Sequence, residues 1–255
     1  MKKPKLKQRM LQGDSVIGTW CMLPSSPVAD VISRTGLDFV VIDMEHGTIT
    51  YETAEEMVRA AQLHECQPII RVGDEQENTI LHALGTGCEA IMVPNVATVE
   101  TTKRIVRAAR YAPLGLRGLS PYTRCHGYTH EGLFESMQRH AEGTLVGILV
   151  EGKEGIERLE DIANVPGIDL IYLGMYDISQ SIGLSGQIEH KDVLAHLEHC
   201  LGIIKKSGKL AGTFSRDMHS CRNFREMGFE FVAYVADCHG LFKFYTESVR
   251  QFKEI

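Results

Sequence analysis

Short apolar runs alternate with amphipathic stretches along the chain, and this alternation predicts β-strands and α-helices in turn. Val16-Ile-Gly-Thr-Trp-Cys21 reads as a first strand, and Pro27 to Gly36 as a helix closed by its glycine. The second strand, Leu37 to Asp43, runs directly into Met44-Glu45-His46-Gly47. A helix from Thr53 to Leu63 follows, with Ala54, Met57, Val58 and Ala61 at the spacing of one buried face. Pro68 to Val72 and Glu89 to Pro94 are the third and fourth strands, with helices over roughly Glu77 to Leu84 and Val99 to Arg110.

The period then breaks. From about 112 to 143 the chain is rich in Gly, Pro, Tyr, His and Arg, a length without regular pattern that usually serves function, although 131–140 has helical character. Alternation resumes with a fifth strand from Leu145 to Glu151, a helix from Gly155 to Val165, and a sixth strand that starts at Asp169 and ends at Asp177. A loop from Ser179, a helix from Asp192 to Ser207, a strand from Lys209 to Ser215, a helix from Met218 to Met227, a strand from Phe229 to Ala236 and a helix from Leu241 to Phe252 complete the chain. Eight β-α units with mostly short connections point to a single (β/α)8 TIM barrel, an α/β domain spanning 1–255. No G-x-G-x-x-G follows the first strand, which removes the main argument for a dinucleotide fold.

At 255 residues and 44% hydrophobic the chain can bury a large core. A net charge of −6 gives no footprint for nucleic acid, although Met1 to Arg9 is locally basic and reads as a solvated lead into a first helix. That segment lacks the apolar stretch of a secretory signal, and the longest apolar runs are strand-sized, so no membrane span is expected. The seven cysteines are an odd set without a C-x-x-C pair, which suits a reducing cytoplasm.

In a barrel the strand ends share one mouth, so Asp43, Glu45, His46, Arg71, Glu151 and Asp177 should meet there. Glu151 and Asp177 each follow an apolar run at matching positions of neighbouring strands. Two such carboxylates repel unless a cation or a shared proton compensates, and a divalent metal is the simplest compensation. Magnesium or manganese, with oxygen ligands and open positions, would chelate a 2-oxo acid and lower the cost of enolate formation by several kcal/mol. Arg71 would place a fixed positive charge beside that enolate, and His46, oriented by Asp43, has the pKa range of a general base. Strand alternation does not let Asp43 and Glu45 both face inward, so Glu45 takes a supporting place. His196, His199 and Cys200 have zinc-compatible spacing but read more simply as a solvated helix face.

Gly36 to His46, Ile70-Arg71-Val72, Val93-Pro94, Arg110 to Gly118, Val150-Glu151, Asp177-Ile-Ser179 with Gly183, and Gly208 to Gly212, taken in this order, resemble the HpcH/HpaI family of metal-dependent class II pyruvate aldolases. The resemblance covers about 14 to 252 and implies a barrel of the phosphoenolpyruvate/pyruvate type. It implies that Glu151 and Asp177 bind magnesium, manganese or cobalt, that Arg71 steadies the pyruvate enolate, and that His46 with Asp43 moves protons. It also implies carboxylate contacts from the turn Gly174-Met175-Tyr176, and a homo-oligomer (dimer, trimer or hexamer) whose last helix, about 241–252, exchanges between subunits. The expected reaction is reversible cleavage of a 2-oxo-4-hydroxy acid to pyruvate and an aldehyde. Three positions depart from the family pattern. Leu149 stands where the family usually has Gln, Met175 where it has Pro, and Gly85 where it often has Asp. These departures leave room for another oxo-acid or an acyl thioester as substrate, and for a catalytically silent metabolite-binding barrel.

Overall fold

Eight strands hydrogen-bond in parallel in chain order and close on themselves: β1 (Val16–Cys21), β2 (Phe39–Asp43), β3 (Gln67–Arg71), β4 (Ala90–Val93), β5 (Leu145–Val150), β6 (Leu170–Leu173), β7 (Leu210–Ser215) and β8 (Phe231–Ala236), which pairs with β1. This computed structural model describes residues 5–254, so Met1 to Pro4 of the basic start lie outside the described residues. Continuous apolar runs were needed because each strand is covered on both faces. One alternate set, including Val41, Ile69, Met92, Leu149, Tyr172 and Phe231, fills the barrel. The other set, including Val40, Ile42, Ile70, Ile148 and Ile171, packs under the helices.

Space inside the barrel is shared by size. Phe39 stacks on Phe231 with centroids 3.9 Å apart, and the room for Phe39 comes from Gly18, where a Cβ would lie 2.3 Å from its ring. Large and absent side chains thus alternate across facing strands, as a closed barrel requires.

The N-terminal segment is not simply solvated. Leu6–Leu11 forms a helix whose Leu6 and Met10, one turn apart, join the barrel's interior cluster and close its N-terminal end. Its cations meet acids at that rim: Lys7 reaches Asp169 at 2.9 Å and Arg9 reaches Asp38 at 2.6 Å. The basic run masked this apolar pair.

Most boundaries fall within two or three residues of the sequence reading. β6 is the main exception, because it ends at Leu173 and a helix, Met175–Ser181, takes up Asp177 in its first turn, together with much of the expected loop. Leu-Gly-Met-Tyr is apolar enough to continue a strand or to start a buried helix, and periodicity cannot separate the two over so short a run. The helix expected over 155–165 is two short pieces, Lys153–Glu157 and Leu159–Ala163. The final helix starts earlier than expected and runs Asp237–Lys253. The aperiodic segment contains a 3-10 turn at Arg124–His126 and a helix at Leu133–Gly143. Among the described residues no helix is long and apolar enough to cross a membrane.

Met10, 2% exposed, seals the end of the barrel away from the mouth. Met10→Ala is expected to cost about 2–4 kcal/mol of unfolding free energy in urea while leaving substrate affinity unchanged. Equal midpoints for the two proteins would show that the helix is only an appendage.

Candidate active site

The mouth is built from turns that follow the strands. β2 ends on Asp43, fully buried, and the chain turns at once. Asp43 Oδ1 accepts the backbone N–H of Glu45 at 3.0 Å and of His46 at 3.2 Å, which fixes that turn. Arg71 is the in-register neighbour of Asp43 on β3. Its Nε donates to Asp43 Oδ1 at 2.8 Å, its Nη2 donates to Oδ2, and its Nη1 lies 2.9 Å from Glu45 Oε2. The guanidinium also sits 4.4 Å above the Trp20 ring of β1. Burial alone would lower its pKa, but Asp43 and Glu45 more than offset this and leave it raised.

Two sequence expectations change here. Glu45 faces inward beside Asp43, because the strand ends at Asp43 and alternation no longer applies in the turn. The Asp43 carboxylate does not orient the His46 imidazole, being occupied by Arg71 and backbone N–H groups. The His46 side chain is 66% exposed at the rim, with Nε2 3.9 Å from Glu45 Oε2.

Across the mouth, Glu151 follows β5 and Gly174 follows β6. A Cβ on residue 174 would lie 2.8 Å from Asp177 Oδ2 and 3.5 Å from Glu151 Oε2, so the two carboxylates face each other over a glycine that leaves the gap open. Asn95, in the left-handed region at φ 56°, ties this half to the other. Its backbone N–H donates to Glu151 Oε1 at 3.2 Å and its Nδ2 to Glu45 Oε1 at 3.0 Å. Burial pushes the Glu151 carboxyl up to about 7, with the charges of Asp177 and Glu45 adding to the rise and the Asn95 N–H and Arg71 opposing it. A cavity of about 420 Å³ opens beside the pair, lined also by Asn95, Lys153 and Gln180.

These residues fit a hard divalent cation. The donors are oxygens, the cradle would be filled by any side chain at 174, and the pair carries negative charge that the nearby arginine, held by other acids, does not neutralise. Gly174, Met175 and Tyr176 lie where β6 passes into the following helix. Met175 is buried, while Tyr176 is half exposed and leans toward Phe214 at 6.2 Å. Leu149 is buried in the barrel interior, in register with Tyr172, which meets Trp20 edge-on at 5.7 Å.

Trp20, Asn95 and Tyr172 were not singled out by sequence reasoning. Trp20 and Tyr172 look like ordinary strand hydrophobes, although both occupy inward positions near strand ends. Asn95 follows Val93-Pro94 directly after β4, and its place at a strand end was the available signal. A separate group, Cys125, His126 and His140, could also gather a metal, but with soft donors and outside the mouth. Its imidazoles already have partners in Tyr111, Ser136 and the Cys125 carbonyl.

The closed parallel barrel thus brings an acid pair, an arginine and a rim histidine together at the ends of its strands. The family model described as HpcH/HpaI aldolase/citrate lyase matches residues 17–243, and the chain belongs to that family. A pyruvate aldolase of Rhizobium etli is 33% identical over 232 residues, 91% of this chain and 90% of that one. Among solved structures, an HpcH/HpaI aldolase/citrate lyase family protein from Burkholderia cenocepacia superposes with a TM-score of 0.92 at 27% identity, covering 98% of this chain and 100% of that one. The citrate synthase SbnG superposes with a TM-score of 0.89 at 32% identity, covering 98% of each chain.

The raised carboxyl makes stability depend on pH when no cation is present. Between its ordinary value near 4.5 and about 7, folded Glu151 keeps a proton that the unfolded chain releases, so stability falls as pH rises through that window. In chelator, Glu151→Gln is expected to remove about 1–3 kcal/mol of that fall, measured by urea unfolding at pH 5 and pH 8. Manganese should remove a similar part of it from the unmodified protein. Identical pH dependence of the two proteins in chelator would contradict the charge imbalance.

Proposed function

We propose that the protein is a metal-dependent pyruvate aldolase that reversibly cleaves a 2-oxo-4-hydroxy acid to pyruvate and an aldehyde. The observation that carries this reading is the pair of carboxylates, Glu151 and Asp177, facing each other across Gly174 beside the anchored Arg71. Glu151 and Asp177 would hold a magnesium, manganese or cobalt ion. Such an ion would polarise the carboxylate and keto oxygens of the oxo-acid and favour its enolate.

The chain's own residues do the rest. Arg71, fixed by Asp43, Glu45 and Trp20, presents a positive charge to the keto oxygen without needing to reorganise as negative charge develops there. The first turn of Met175–Ser181 offers backbone N–H groups to the substrate carboxylate. His46 is accessible at the rim, where the C4 hydroxyl of the substrate would lie, and it takes that proton directly or through water. Asp43 serves His46 by holding the turn that carries it. The aldehyde half faces outward, toward a neighbouring subunit.

A homo-oligomer is part of this reading. The last helix exposes Leu241, Phe242, Phe244, Tyr245, Val249 and Phe252, an apolar surface that a partner subunit would cover by exchanging this helix. The cysteines are all unpaired, which favours a cytoplasmic location. No nucleic-acid or membrane partner is proposed.

A second reading is favoured by the buried Leu149 and Met175 and by the likeness to the citrate synthase SbnG. In it the same centre binds a 2-oxo acid as electrophile, and an acyl thioester supplies the carbon nucleophile.

Pyruvate in deuterated water, followed by proton NMR, separates these readings. The aldolase should exchange the methyl protons only with added manganese or magnesium, and Glu151→Ala should slow exchange at least about a hundredfold. No exchange by folded, metal-bound protein would count against pyruvate as nucleophile and favour the thioester condensation. Light scattering should give a mass several times the 28.4 kDa of one chain, and Phe242→Asp with Phe252→Asp should lower it without loss of helical signal.

A further inference from the structure

Tyr172 faces the barrel interior from β6, just beneath the mouth, and the proton of its buried hydroxyl has no acceptor among the protein's groups. Its ring is held on several sides. Trp20 meets it edge-on at 5.7 Å, Phe231 at 6.1 Å, and Gly212 of β7 leaves the space it needs, since a Cβ there would lie 2.9 Å from Tyr172 Cδ2. A ring so enclosed has little freedom to swing its hydroxyl elsewhere.

The hydroxyl lies among the groups already assigned to the oxo-acid. Its neighbours are Trp20, whose indole N–H is directed at the phenol oxygen and cannot accept the phenol proton, together with Arg71 and Glu151, and the same indole also carries the Arg71 guanidinium. Leu149, the in-register neighbour on β5, faces the same interior and is apolar, so it offers the hydroxyl nothing. Buried hydroxyls in native folds are nearly always paired. A hydroxyl proton left without an acceptor just beneath the mouth calls for a partner that arrives with the ligand.

We propose that Tyr172 donates a hydrogen bond from its hydroxyl to an oxygen of the bound 2-oxo acid, beside Arg71, and so favours its enolate over its keto form. The inference rests on the oxo-acid reading of the site. When a proton leaves the carbon next to the ketone, its electron pair moves to the ketone oxygen, and a donor already aimed at that oxygen binds it more strongly. The phenol keeps its own proton throughout. The proton from carbon leaves by way of the rim.

The test compares the unmodified protein with Tyr172→Phe and with Tyr172→Phe/Leu149→Gln. Leu149 is the position from which an amide could reach the same region of the floor. Calorimetry in manganese measures the affinity for pyruvate and for oxalate, a planar dianion that resembles the enolate, and the methyl exchange rate is followed in parallel. Tyr172→Phe is expected to bind oxalate about tenfold more weakly, equivalent to about 1.4 kcal/mol, to lose less affinity for pyruvate, and to exchange protons about tenfold more slowly. The added amide should restore part of the oxalate affinity. Unchanged oxalate affinity and exchange in a folded Tyr172→Phe protein would overturn the assignment of Tyr172 and leave the oxo-acid reading in place. Equal losses for oxalate and pyruvate with no recovery from the amide would also overturn it, since altered packing predicts that pattern. If the unmodified protein binds manganese but neither ligand, the oxo-acid reading fails, and the role given to the hydroxyl fails with it.

Discussion

Arg71 is the interaction on which the mouth depends, because it divides four carboxylates into two groups. Asp43 and Glu45 take up its guanidinium, and Trp20 supports its face, so this half of the site is neutralised and held rigidly before anything binds. Glu151 and Asp177 are left without an equal partner. Removing two acids from water without a counter-charge is unfavourable, and the rise of the Glu151 carboxyl to about 7 is the local sign of it. Asn95 couples the halves by donating to an acid on each side. The one arginine is thus engaged on one side of the mouth, and the excess of negative charge stays with the carboxylates on the other, which is the basis of the proposed cation site.

The barrel was legible because parallel strands buried on both faces leave apolar runs of strand length. The acid pair was legible because each acid closes such a run. What the sequence hid followed from geometry that alternation does not describe. Glu45 turns inward because a turn begins at Met44, and Asp177 sits on a helix because the apolar letters after Leu173 fit either conformation. Trp20 and Tyr172 are inward residues of ordinary strands, and only closure of β8 onto β1 brings one beside the other. The bulge at that closure includes Val235 at φ 44°, a left-handed conformation that β-branched residues rarely adopt, and no periodic pattern signals it.

The aperiodic segment before β5 was unreadable for a different reason. Its interior is polar: His126 bonds Tyr111 and Ser136, His140 bonds the Cys125 carbonyl, and Arg117 lies 4.9 Å from the Tyr111 ring. Hydrogen-bond networks are specified by pairs of donors and acceptors at irregular spacing and leave no hydrophobic period. Burial holds the His126 pKa down to about 4, so the imidazole stays neutral and works as a structural member. The same residue types that suggest a metal by composition are here accounted for by packing.

Acids occur at both ends of the barrel, and the contrast between them explains why an acid alone is a poor marker of function. Asp38, Glu89, Asp169 and Glu230 each stand immediately before an even-numbered strand, at the end opposite the mouth. Three of them accept a backbone N–H from a neighbouring odd-numbered strand: Ile17 for Asp38, Val146 for Asp169 and Ala211 for Glu230. All four have a cation as well, Arg9 for Asp38, Lys5 for Glu89, Arg110 and Lys7 for Asp169, and Lys205 for Glu230. These acids fasten strand to strand and ask for nothing further. At the mouth the same carboxyl chemistry is left with fewer cations than anions, and beneath it lies a buried hydroxyl whose proton has no acceptor. Function in this fold is therefore marked by unmet charge at one end of the barrel, while the carboxylates at the other end are matched and contribute to stability.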